Sequence, residues 1–235
     1  MKKLSLVLLF IPFLFFGQNS NFNEYVGDEK NKFSSSKKAN LAFNKGSDFF
    51  NAGDFLNAIE QFTITIEDDK KQKYFSTDAY INRATAYLQI NDFTNAINDY
   101  SAIINFGKDS YVTTALIGRA AVYGYLGDFD KGIEDFRKAI NLNPNSVDAL
   151  YNLSRLYLQK SDYENGLKYL LQAENNYSNQ MLNNPLLLSS INYSKGAAKY
   201  SLNISGYCDD FSLSIELDEN TLSKGQLEFI ENVCP

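Results

Sequence analysis

The chain has 235 residues, 44% of them apolar and 21% charged, with a formal net charge of −6 and neither histidine nor tryptophan. Such a composition is globular and long enough for one substantial domain or two small ones. Without histidine there is no Ser-His-Asp or Cys-His catalysis and no histidine-ligated metal.

Lys2 and Lys3 precede an apolar run from Leu4 to Phe16. As a helix the run rises only about 20 Å, short of a bilayer core of about 30 Å. Pro12 weakens a spanning helix further. A signal peptide over residues 1–17 is therefore expected, with an uncleaved anchor as the alternative. No cysteine stands directly after the run, which argues against a lipid anchor. Loss of Lys2 and Lys3 would leave 20 basic groups against 28 acidic ones. That balance disfavours nucleic acid and anionic membrane surfaces, so neither is an expected partner. Residues 18–38, rich in Asn, Ser, Lys and Gly, read as a flexible leader.

From there an Asp-aromatic pair recurs: Asp54-Phe55, Asp92-Phe93, Asp128-Phe129 and Asp162-Tyr163. Self-similarity at intervals of about 36 residues signals a solenoid. Gly53, Asn91, Gly127 and Ser161 precede the aspartates, where a left-handed residue would close one helix. The aspartate would then cap the next. Apolar and small residues recur at three- and four-residue intervals on both sides, so each copy predicts two amphipathic helices. Small residues stand at two equivalent places in each copy: Gly46, Ala84, Ala120, Ser154, and Ala58, Ala96, Gly132, Gly166. They permit close helix approach, with aromatic rings filling the remaining space.

This pattern resembles the tetratricopeptide repeat family, strongest over Thr113–Pro144, where Ala120, Tyr123, Gly132, Phe136, Ala139 and Pro144 fall at the family's positions 8, 11, 20, 24, 27 and 32. A fifth copy aligns Gly196 with position 8 and Phe211 with position 24, with one residue lost in the turn and Tyr207 where a small residue is expected. The resemblance implies an all-α, right-handed helical-hairpin solenoid of about five repeats over residues 39–235. Ser223 and Gln226 form a capping-box pattern opening a last helix, expected from about Lys224 to Val233, that would cover the fifth pair.

Cys208 and Cys234 would be buried thiols in a cytosolic protein and a disulfide in an exported one. Placed near the start of the fifth second helix and at the end of the cap helix, they are expected to pair. Exported repeat proteins of Bacteroidota resemble this ending, which implies a periplasmic or cell-surface location. Arg83 and Arg119 hold position 7 of two copies, and Asp99 and Asp135 hold position 23 of the same two. The fifth copy has Lys195 and Asp210, and the fourth loses both charges, with Leu153 and Tyr169. Inter-helix salt bridges are the favoured reading, ligand-binding arginines the other.

In the family, the first helices of successive hairpins line a concave groove for peptide segments. Carried over, its positions give Phe43, Ser47 and Phe50; Ile81 and Thr85; Ile117 and Ala121; Tyr151, Arg155 and Leu158; and Tyr193 and Tyr200. Asn44, Asn82 and Asn152 flank this stripe, and Tyr125 could extend it. Several of these rings could equally pack against neighbouring repeats. The expected function is a non-catalytic interaction module of the cell envelope that binds a protein segment, with no cofactor, no metal and no membrane insertion after signal cleavage. The alternatives are a structural subunit of an envelope assembly, or a carbohydrate-binding protein.

Overall fold

The structure, a computed structural model, describes residues 36–71, 76–107, 109–180, 182–218, 220 and 222–234. The expected signal peptide over 1–17 and the leader as far as residue 35 lie outside the described residues. Eleven α-helices and no strand occur among the described residues: α1 Lys37–Asn51, α2 Phe55–Lys71, α3 Thr77–Gln89, α4 Phe93–Phe106, α5 Asp109–Tyr125, α6 Phe129–Leu142, α7 Val147–Gln159, α8 Tyr163–Asn179, α9 Pro185–Ser201, α10 Tyr207–Asp218 and α11 Lys224–Val233. None is long and apolar enough to cross a membrane. The first helix begins two residues before the expected 39, because Ser36 caps it by accepting a hydrogen bond from the Ala39 amide at 3.0 Å. The described residues fall into two compact units divided after Val122, an amino-terminal one over 36–122 and a carboxy-terminal one over 123–234.

Each hairpin closes its first helix at a left-handed residue. Gly53, Asn91, Gly127, Ser161 and Asn203 have φ of 78°, 59°, 81°, 60° and 55°, so all five copies close their first helix in the same way. A serine in that conformation carries backbone strain that glycine lacks. Ser161→Gly should therefore raise stability by about 1 kcal/mol in urea unfolding; an unchanged or lower midpoint would contradict this turn geometry.

Three of the aspartates cap with both carboxylate oxygens accepting from one asparagine. Asp54, Asp92 and Asp162 accept from the backbone amides of Asn57, Asn95 and Asn165 at 3.3, 3.1 and 3.2 Å. Their second oxygens accept from the same asparagines' side-chain amides at 2.6, 2.7 and 2.8 Å. The third copy has Lys131 in place of that asparagine. Asp128 pairs with its ammonium at 2.5 Å and makes no side-chain cap.

Within each unit the second helix of one hairpin packs on the first helix of the next, as α2 does on α3 and α6 does on α7. The contact surface is legible by comparing copies. At the third position of each copy, Ala79, Ala115, Ala149 and Ile191 are fully buried, whereas Leu41 of the first is 55% exposed. Seven residues on, Ala86, Val122, Leu156 and Ala198 are likewise buried, and the first copy has an exposed Asp48. These two places face the preceding hairpin in the later copies, and the first copy has no preceding hairpin among the described residues.

The fifth copy departs from the others after its turn. Asn203 and Gly206 are both left-handed, and α10 begins at Tyr207, four residues after Asn203 where the other copies take two. The ring of Tyr207 meets Tyr200 edge-on at 5.3 Å. On α11 the capping box forms, with the Ser223 amide donating to Gln226 Oε1 at 2.8 Å and the Gln226 amide to Ser223 Oγ at 3.4 Å. Phe229 lies edge-on against Tyr200 and Phe211 at 5.4 and 5.9 Å.

Candidate functional site

The ligand-facing stripe differs between the two units. In the amino-terminal unit, Phe43, Ser47, Phe50 and Ile81 are half-buried and Asn44 is exposed, while Asn82, Thr85, Ile117 and Ala121 are buried. Phe43 leans on Phe62 at 5.7 Å and Phe50 on Phe55 at 5.4 Å. Gly46 lets the Phe62 ring approach, since a Cβ there would lie 2.7 Å from it. The hydroxyls of Ser47 and Thr85 donate to the carbonyls of Phe43 and Ile81 one turn back, at 3.1 and 2.9 Å. What remains accessible is the outer part of Phe43, Phe50 and Ile81, with the Asn44 amide beside them.

In the carboxy-terminal unit the same stripe is enclosed. Tyr151, Asn152, Arg155, Leu158 and Tyr193 are all buried, Tyr200 is half-buried and Tyr125 is exposed. The sequence expectation opened Tyr151, Arg155, Leu158 and Tyr193 to a ligand; the structure packs them. Leu158 occupies the space left by Gly166, where a Cβ would stand 2.4 Å from Leu158 Cδ2. Tyr193 packs on Phe211 at 5.5 Å. Arg155 lies 5.9 Å from the Tyr151 ring centre and donates to Asn152 Oδ1 at 3.3 Å. Burial pushes its pKa below the usual arginine range, with Tyr151 opposing. The flanking amide is engaged too, because Asn152 Nδ2 donates to the Asp148 carbonyl at 2.9 Å.

The position-7 cations stitch helices together. Arg83 grips Asp99 with two hydrogen bonds, Nε to Oδ2 at 2.9 Å and Nη2 to Oδ1 at 2.6 Å. Its Nη1 reaches back to Thr63 Oγ1 of the preceding hairpin at 2.9 Å, and its guanidinium sits 5.5 and 5.9 Å from the rings of Tyr80 and Tyr87. Arg119 reaches back in the same manner, to Ser101 Oγ at 2.8 Å; Asp135 is buried. Thr63 and Ser101 hold the same place in successive copies, a regularity in the sequence that would have identified them. In the fifth copy Lys195 binds Glu174 of the preceding hairpin and Asp210 of its own at 3.2 Å, and Lys199 joins Asp210 at 2.7 Å. In the fourth, where the charges are lost, Tyr169 stacks on Tyr157 at 5.6 Å and Arg137 donates to Tyr157 Oη at 2.6 Å. Cys208 and Cys234 form a disulfide, with Cα atoms 5.6 Å apart.

Comparison with known proteins agrees with this architecture. Models of the tetratricopeptide repeat match residues 43–110, 114–146 and 136–168. Among solved structures, a MamA protein is similar with a TM-score of 0.63 at 16% identity, over 78% of this chain and 93% of that one. MamA from Desulfovibrio magneticus RS-1 gives 0.65 at 14% identity, over 80% and 99%. Likeness at these identities is one of fold. A comparison with curated protein sequences finds no match. With five hairpins closed alike, small residues at the helix contacts and these models together matching about half of the chain, within residues 43–168, the chain belongs to the tetratricopeptide repeat family.

Proposed function

We propose that this protein is a non-catalytic interaction module of a bacterial cell envelope, taking a protein segment on the stripe formed by the first helices of its hairpins. The observation that carries the reading is the partial exposure of Phe43, Phe50 and Ile81 on that stripe in a tetratricopeptide fold. Aromatic and aliphatic side chains of this kind are the usual anchors of protein interfaces. Export is supported by the basic residues Lys2 and Lys3 ahead of an apolar run and by a disulfide formed from the only two cysteines.

Phe50→Ala with Ile81→Ala should reduce partner capture from an envelope extract about thirtyfold or more, while the far-ultraviolet spectrum stays helical. Undiminished capture by the folded variant would move binding off this stripe. A structural subunit contacting partners through other surfaces, such as the exposed Leu56 and Phe106, would then lead.

A further inference from the structure

The last helix is short, and few groups hold it. At ten residues α11 is below the length at which a helix persists alone in water, so its order depends on docking. Its docked side consists of Gln226, Phe229 and Ile230, against Tyr200 of α9 and Phe211 of α10. Its other side, with Lys224, Gly225, Glu228, Glu231 and Asn232, faces solvent.

The disulfide lies at the far end of this helix. Cys234 is the residue that caps α11, and Cys208 is the second residue of α10. Both are only partly buried, so a small thiol can reach the bond. The chain has no other cysteine, which gives any thiol exchange a single address. None of the turn, cap and stitch contacts in the four preceding hairpins involves α11, so nothing in them requires the bond.

We infer that Cys208–Cys234 is a redox latch: its reduction releases α11 and uncovers the aromatic floor of Tyr200 and Phe211, while the preceding hairpins stay folded. A thiolate of a dithiol reductant attacks one sulfur, and the other cysteine leaves as a thiolate and takes up a proton. The second reductant thiol then resolves the mixed disulfide. The protein gains two S–H groups and the dithiol is oxidised to its own disulfide. The bond spans a separation of 26 residues. Losing a constraint on a loop of that size raises the open population by about a hundredfold or more.

Amide hydrogen exchange of the full chain, with and without dithiothreitol, reads this directly. On reduction, the amides of α11 should exchange about a hundredfold faster, with those of α1 to α8 unchanged. A dye that binds exposed apolar surface should brighten in parallel. Cys208→Ser with Cys234→Ser should show the fast exchange without reductant and no further response to it. Equally slow exchange of α11 in the reduced protein would overturn the latch. So would acceleration spread over α1 to α8, or a double variant that does not fold, because the bond would then be a staple of the whole fold.

Discussion

Arg83→Leu should destabilise the amino-terminal unit by about 3–5 kcal/mol, the usual consequence of removing one partner from a buried ion pair. The side chains of Arg83 and Asp99 are only 15% and 5% exposed, so solvent does little to replace the lost contact. Thr63 loses a donor, and the rings of Tyr80 and Tyr87 lose the guanidinium between them. Burial already raises the Asp99 pKa above its ordinary value of 3.8 despite Arg83, and without Arg83 it should rise further. A carboxyl with a raised pKa in the folded state binds a proton more readily there than when unfolded, so stability falls as pH rises through that pKa. The defect should accordingly be smaller near pH 4 than at pH 7. Arg83→Leu with Asp99→Asn should recover part of the loss and flatten the pH dependence. Urea unfolding of the two single variants, the double variant and the parent makes a double-mutant cycle; coupling near zero would show that the pair contributes nothing.

Tyr151→Ala should remove about 3–5 kcal/mol from the carboxy-terminal unit, since it empties the volume of a fully buried ring. Its melting temperature should drop by about 10 °C or more. Tyr157→Ala is the matched comparison, because it removes the stack on Tyr169 and the acceptor for Arg137. The two losses should be of the same order. If Tyr151→Ala instead melts with the parent while Tyr157→Ala does not, Tyr151 belongs to the ligand-facing stripe that the repeat pattern assigns it.

The two tyrosines show where the sequence was readable and where it was not. Repeat positions located the hairpins, the left-handed turn residues and the capping box, because each depends on local backbone geometry and one or two nearby side chains. The Arg83–Asp99 contact was also legible, since the fourth copy loses both charges together. The reach of Arg83 to Thr63 had a fainter signal, the recurrence of a hydroxyl at one place in successive copies, Thr63 and Ser101, with no charge to mark the pairing. Burial of the stripe was the least accessible feature. Whether Leu158 points outward depends on Gly166 in another helix, and whether Tyr193 is a ligand contact depends on Phe211. Those are properties of pairs of helices, and a single-helix pattern does not contain them.

Asp48 has a significance beyond its own hairpin. A repeat that offers one apolar face and accepts another sets no limit on its own number, and open-ended stacks of identical units grow into fibres. Later copies place Ala86, Val122, Leu156 or Ala198 where Asp48 stands. Burying a carboxylate there would strip it of water, a cost that the later copies do not meet at this place. The first copy thus carries a charge at a place that every later copy gives to a buried apolar side chain.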